Sequence, residues 1–193
     1  MGKFTRFLCR GGTWLSALLA LLLAAGCASA PTPTANEPDS PLLRLAPASL
    51  GRTLALHQQL TVAARGQTHR LDVILEADAD SVRLAMMNLG QTVARLQWDG
   101  RELTETRASW WPAAVKGERI LSDLQLVLWP AQAISAALPG GWTLDAHDTE
   151  RVLRRQGTVV ATVSYPSAAH AELVNLQHGY RLSIESRPLG GLT

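Results

Sequence analysis

The chain has 193 residues, 18 of them basic and 16 acidic, with 47% hydrophobic residues and two cysteines. Lys3, Arg6 and Arg10 all fall in the first ten positions, so without residues 1–26 the chain keeps 15 basic and 16 acidic residues, a formal charge of −1. Its basic character therefore belongs to the leader and gives no support for nucleic-acid binding. The length that remains suits one domain and is short for two.

After the positive leader an apolar run extends from Trp14 to Ala25. It is too short to cross a hydrocarbon layer as a helix, which takes about 20 residues. Its flanks are those of a secretory signal, so residues 1–26 are left out of the fold. The segment closes on Ala24-Ala25-Gly26-Cys27, which resembles the lipobox of bacterial lipoproteins, where the cysteine is lipidated and becomes the first residue. Ala24 departs from that pattern, since Leu is commoner there and Leu23 sits one place early. An ordinary signal cleaved nearby is the alternative. The resemblance implies acylation of Cys27 and anchoring in lipid through it. With Ala28 rather than Asp next, it also implies routing to the outer membrane, on the periplasmic face. Cys9 leaves with the signal and Cys27 is occupied by lipid, so no disulfide is expected in an oxidising compartment.

Residues 27–41 comprise this cysteine and a tether rich in Pro, Thr, Ala and Ser, with almost nothing to bury. A single domain follows over 42–193, with Leu42–Leu50 as its possible start. Thr53–Val62 reads as a strand. Leu71, Val73 and Leu75 point one way from the next segment, and Asp78-Ala79-Asp80 makes a turn. Val82–Met87 and Thr92–Trp98 are further strands joined through Asn88–Gln91. Asp99-Gly100 predicts a hairpin returning along Arg101–Thr106.

The middle differs. In Glu118–Trp129 the residues Ile120, Leu121, Leu124, Val127 and Leu128 recur at spacings of one, three and four, the face of an amphipathic helix. Pro130 breaks it and can start a second short helix over Ala131–Leu138, which Pro139-Gly140-Gly141 stops. Strands return at Glu150–Gln156, Val159–Tyr165, Ala171–Gln177 and Tyr180–Glu185, and Arg187–Gly191 reads as a loose end. The fold class expected is mainly β with α: an open, curved antiparallel half-barrel covered by a helical insertion.

Trp111-Pro112, the stretch DLQLVLWP at Asp123–Pro130, Tyr165, and Asn175–Ile184 with its Gly179-Tyr180-Arg181-Leu182 core together resemble an uncharacterised lipoprotein family, domain of unknown function 3261. More distantly the layout is similar to the LolA/LolB group of lipoprotein carriers and receptors. That likeness implies a hollow sheet that accepts acyl chains beneath a lid at Glu118–Leu138. It also implies a lipid, glycolipid or lipidated cargo handled during envelope assembly. The alternative is an accessory module that holds envelope-assembly proteins at the outer membrane.

Candidate lipid or lid contacts are Trp110, Trp111, Ile120, Leu121, Leu124, Val127, Leu128, Trp129, Met86 and Met87. Tryptophan and methionine suit either an oily cavity or an ordinary core. Asp123 interrupts the apolar helical region, and with Arg181 it is a candidate polar rim toward a head group. Both residues also have plain readings, Asp123 as a buried hydrogen-bonding group and Arg181 as a solvent-facing strand residue. Asp145-Ala146-His147-Asp148 has no second histidine at ligand spacing, so no metal is expected. Ser164 lacks a nucleophile-elbow context, and no phosphate loop or dinucleotide fingerprint occurs. No catalytic residue, enzyme activity or cofactor is expected.

Overall fold

A computed structural model describes residues 41–190. The expected signal, Cys27 and the expected tether as far as residue 40 lie outside the described residues. Among those described, no helix is long and apolar enough to cross a membrane.

In chain order the elements are β1 (Leu54–Ala64), β2 (Gln67–Ala77), β3 (Val82–Asn88), β4 (Gln91–Trp98), β5 (Leu103–Arg107), α1 (Gly117–Leu128), α2 (Ala131–Ala137), β6 (Trp142–Ala146), β7 (Glu150–Arg155), β8 (Thr158–Ser167), β9 (His170–Asn175) and β10 (Tyr180–Pro188). All ten strands form one antiparallel sheet in the order β5-β4-β3-β2-β1-β10-β9-β8-β7-β6. Every neighbouring pair but β1–β10 is a consecutive hairpin. Three hairpins turn on Arg65-Gly66, Leu89-Gly90 and Gln156-Gly157, with φ positive at both residues of each pair. This is the geometry whose twist matches the flanking strands, and it places glycine second.

Alternation selects the core. Val73 and Leu75 of β2 face Met86 and Leu84 of β3, and all four are buried. On the other arm Leu173 faces Val163, again buried on the same side. The sheet must curl around this face, because α1 touches both β5 and β9. In a flat sheet those strands, six places apart, would be separated by roughly 29 Å at about 4.8 Å per strand. The helices lie between the two edge strands and cover the concavity, as the expected half-barrel requires.

Residue 129 ends α1 because it precedes a proline, which disfavours the helical region for the residue before it. Trp129 is accordingly extended, at φ −74 and ψ 154. Pro130 then caps α2, and its carbonyl accepts from the Ile134 N–H at 3.1 Å. At the other end Gly117 lets α1 approach the sheet: a Cβ there would lie 2.9 Å from Glu105 Oε2 and 3.1 Å from Leu96 Cδ2.

Residues 41–50 form a strap along α1. Leu43, Leu45 and Leu50 are buried in the core. The Leu43 N–H donates to Ser122 Oγ at 3.0 Å and the Leu45 N–H to Gln125 Oε1 at 2.9 Å. Gln125 Nε2 and Trp98 Nε1 both donate to the Leu45 carbonyl, at 3.0 and 2.8 Å. Thus Ser122 and Gln125, which a simple amphipathic reading leaves facing water, are buried beneath the strap.

Two sequence expectations are corrected, and two stretches without a strand expectation prove to be paired. Trp142–Ala146, for which no strand was expected, is the edge strand β6. Gln67–Arg70, polar throughout, belongs to β2. Arg187-Pro188 is not a loose end, because it finishes β10 opposite His57 and Leu56. The return after Asp99-Gly100 starts at Leu103 rather than Arg101, because Asp99 Oδ1 accepts from the N–H groups of both Arg101 and Glu102 and holds them in the turn.

Candidate ligand cleft under the helical cover

The expected lid residues separate into two groups. Leu121, Val127, Trp129 and Met86 are buried in the core cluster, and Ile120, Leu124, Leu128 and Trp111 pack against it half-buried. Trp129 has no exposure, and its indole N–H donates to Ser49 Oγ at 3.0 Å. These side chains seal the middle of the concave face. Trp110 instead stands in the β5–α1 loop with 61% exposure. A register shift separates Met86 from Met87, and Met87 is only half-buried.

Asp123 and Arg181 do not share a rim. Asp123 is buried, and its Oδ2 accepts the Tyr180 hydroxyl at 2.5 Å. Asn175 Nδ2 donates to the same Tyr180 oxygen at 3.1 Å. Burial pushes the Asp123 carboxyl up to about 6, against the opposing effects of the Tyr180 bond and the Arg119 charge. Burial and the neighbouring carboxylate push the Tyr180 hydroxyl up as well. Arg181 is exposed and pairs with Glu172 at 3.5 Å, away from Asp123. Strand alternation explains the split: Tyr180 and Leu182 pair with Asn175 and Leu173 on the core side, and Arg181 with Val174 on the other.

An open cleft of about 550 Å³ remains at one end of the concavity, beneath the C-terminus of α1. The starts of β1, β7 and β9 and the ends of β8 and β10 converge there. Val127, Leu128, Ala171 and Ile184 give it an apolar side, and Arg52, Gln58, Arg151, Tyr165 and Ser186 a polar one. Its volume is in the range of sites for small molecules. Gln58, buried in a strand interior, donates from Nε2 to Ser186 Oγ at 3.0 Å across the β1–β10 pair.

Arg151 and Tyr165 complete the end of α1. Arg151 Nη1 donates to the Leu126 carbonyl at 2.6 Å and to that of Val127 at 3.3 Å. The Tyr165 hydroxyl donates to the Val127 carbonyl at 2.7 Å, and the Arg151 guanidinium lies 5.4 Å from the Tyr165 ring centre. A cation and two donors at the negative end of a helix are favourable. Burial lowers the Arg151 pKa, and the charge of Arg52 lowers it further. Sequence reading missed Arg52, Gln58 and Arg151; of the cleft's lining it had singled out Val127 and Leu128 as candidate lipid contacts, and Tyr165 through the family resemblance.

Asp145 and His147 do not converge on a metal site. Asp145 pairs with Arg154 at 2.8 Å, and His147 lies in the β6–β7 turn. Among the described residues, no group of three or more His, Cys, Asp or Glu side chains is placed to hold a metal ion.

The family model described as "Protein of unknown function (DUF3261)" matches residues 55–188, which take in both helices and all ten strands apart from the first residue of β1. The chain belongs to the DUF3261 family. The DUF3261 match takes in Gln58, α1, Arg151, Tyr165 and Ser186 but leaves out the strap and Arg52. No curated protein matches the chain. Among solved structures, it is similar to a DUF1329 family protein from Desulfovibrio piger, at 9% identity and a TM-score of 0.30, over 76% of this chain and 90% of that one.

Proposed function

We propose that this DUF3261 protein is a non-enzymatic outer-membrane lipoprotein, held on the periplasmic face by acylated Cys27. Its role is to bind or hand over a lipid, glycolipid or lipidated cargo in envelope assembly. The supporting observation is the curled sheet whose apolar concave face is covered by a helical insertion and left open at one end as a cleft. Apolar burial contributes about 25 cal/mol per Å² to holding such a guest, before ordering costs. Because Leu121, Trp129 and Ile134 fill the middle, a long acyl chain needs the cover to lift, and the cleft is the natural point of entry. The test is purification of the acylated protein with native envelope lipids, followed by mass spectrometry. Stoichiometric lipid, displaced by an apolar fluorescent probe, is expected. A lipid-free protein that also fails to take up the probe would sink the reading.

The second reading is an accessory module that positions a protein partner at the outer membrane. The sealed centre and the exposed Trp110 and Val115 on one loop favour it. Recovery of a defined protein complex, with no lipid and unaffected by the probe, would decide for this alternative.

A further inference from the structure

The cleft carries more positive charge than its structural duties require. Arg151 spends Nη1 on the helix-end carbonyls, while its Nη2 and Nε make no hydrogen bond among the described residues. Arg52, exposed at the mouth of the same cleft, makes no hydrogen bond or ion pair among the described residues. Asp148 lies on the rim of the same cleft. An anion placed between the two guanidiniums would be attracted by both and would offset their mutual repulsion. The Asp148 carboxylate and the end of α1, the latter equivalent to roughly half a negative charge, offset only part of this. A net positive site remains beside the apolar side chains of Val127 and Leu128.

From this arrangement we infer that the cleft binds a phosphate or similar oxyanion between Arg52 and Arg151, as the head of an amphiphile whose apolar part follows Val127, Leu128 and Ile184. Two guanidiniums present forked N–H donors that match oxyanion geometry. Gly51, at φ +72, turns the chain out of the strap and sets Arg52 at the cleft. The inference rests on the cargo reading for the amphiphile, but the anion preference is separable from it.

The test is calorimetric titration of the folded domain with dodecyl phosphate, dodecyl maltoside and inorganic phosphate, each below its micellar concentration where it has one. Dodecyl phosphate is expected to bind at least tenfold more tightly than the maltoside. Arg52→Ala is expected to remove that preference and leave the melting temperature and maltoside binding unchanged. Arg52→Lys should restore part of the preference. Inorganic phosphate binding as tightly as dodecyl phosphate, and lost in Arg52→Ala, would support the anion site with free phosphate as its source and count against a lipid cargo. Equal binding of both amphiphiles, indifferent to Arg52, would overturn the anion site and leave the lipid reading standing. No binding of any probe would overturn both.

Discussion

Replacing Asp123 with Asn isolates what burial does to one carboxylate. The side chain ionises near 3.8 in the unfolded chain and at about 6 in the fold, desolvation outweighing the Tyr180 bond and the Arg119 charge. At 1.36 kcal/mol per unit, ionised Asp123 costs the native state about 3 kcal/mol relative to its protonated form. Between these two values the folded protein holds the proton more tightly. Stability from this group is therefore greatest below pH 4, declines as pH rises to about 6 and is flat above. Asn has the same shape, stays neutral, and offers Oδ1 to the Tyr180 hydroxyl. The Asn variant should be about 1–3 kcal/mol more stable than the parent at pH 7.5, with the difference shrinking toward zero at pH 4. Urea unfolding at pH 4, 5, 6 and 7.5 measures this. A variant less stable than the parent at pH 7.5, or one differing by a constant amount at every pH, would refute a desolvated carboxylate.

Gln125→Leu keeps the bulk but strands the Leu45 N–H, whose partner is Gln125 Oε1, and should cost about 1–3 kcal/mol by urea denaturation; a change under about 0.5 kcal/mol would contradict the strap's bonding. Arg151→Ala removes the cation and donor at the end of α1 and should lower stability by about 1–2 kcal/mol. An unchanged denaturation midpoint would mean that those carbonyls are satisfied otherwise. Trp129→Ala should cost about 3–5 kcal/mol, while Trp110→Ala, at an exposed site, should change stability by no more than about 0.5 kcal/mol. Similar losses in melting scans of the two variants would overturn their different placement.

Where one face is apolar, the sheet could be read directly. Val73, Leu75, Leu84 and Met86 alternate with Asp72, Glu76 and Arg83, and both the strands and the buried face follow. β6 resisted, because Trp142 and Leu144 alternate only once over five residues, too short a run to mark a strand. It is held from outside its own sequence, by Arg154 on Asp145 and by the Arg155 guanidinium 5.9 Å from the Trp142 ring centre. Gln67–Arg70 has no apolar face to reveal it and pairs only because the Arg65-Gly66 turn fixes the register with β1. The amphipathic pattern of α1 was plain, but the burial of Ser122 and Gln125 depends on a strap some 80 residues earlier in the chain. The cleft was the least legible part. Arg52 and Arg151 lie far apart in the sequence, and the curl of the sheet, not any local motif, brings the elements that carry them to one end.

The β1–β10 junction divides the sheet into two arms that are each built from neighbouring hairpins. Leu60 meets Ile184 across that junction, 124 residues later in the chain. Closing so long a loop costs about 2 kcal/mol more in chain entropy than closing one of ten residues. Either arm can zip up locally, but the seam forms only once both are in place, so low φ-values are expected for Leu60→Ala and Ile184→Ala in folding kinetics, and values near one would contradict this order. Until the seam closes, β1 and β10 are bare edges open to pairing with another copy of the chain. The step that creates the concave chamber is thus also the one at which two half-finished molecules can join by mistake.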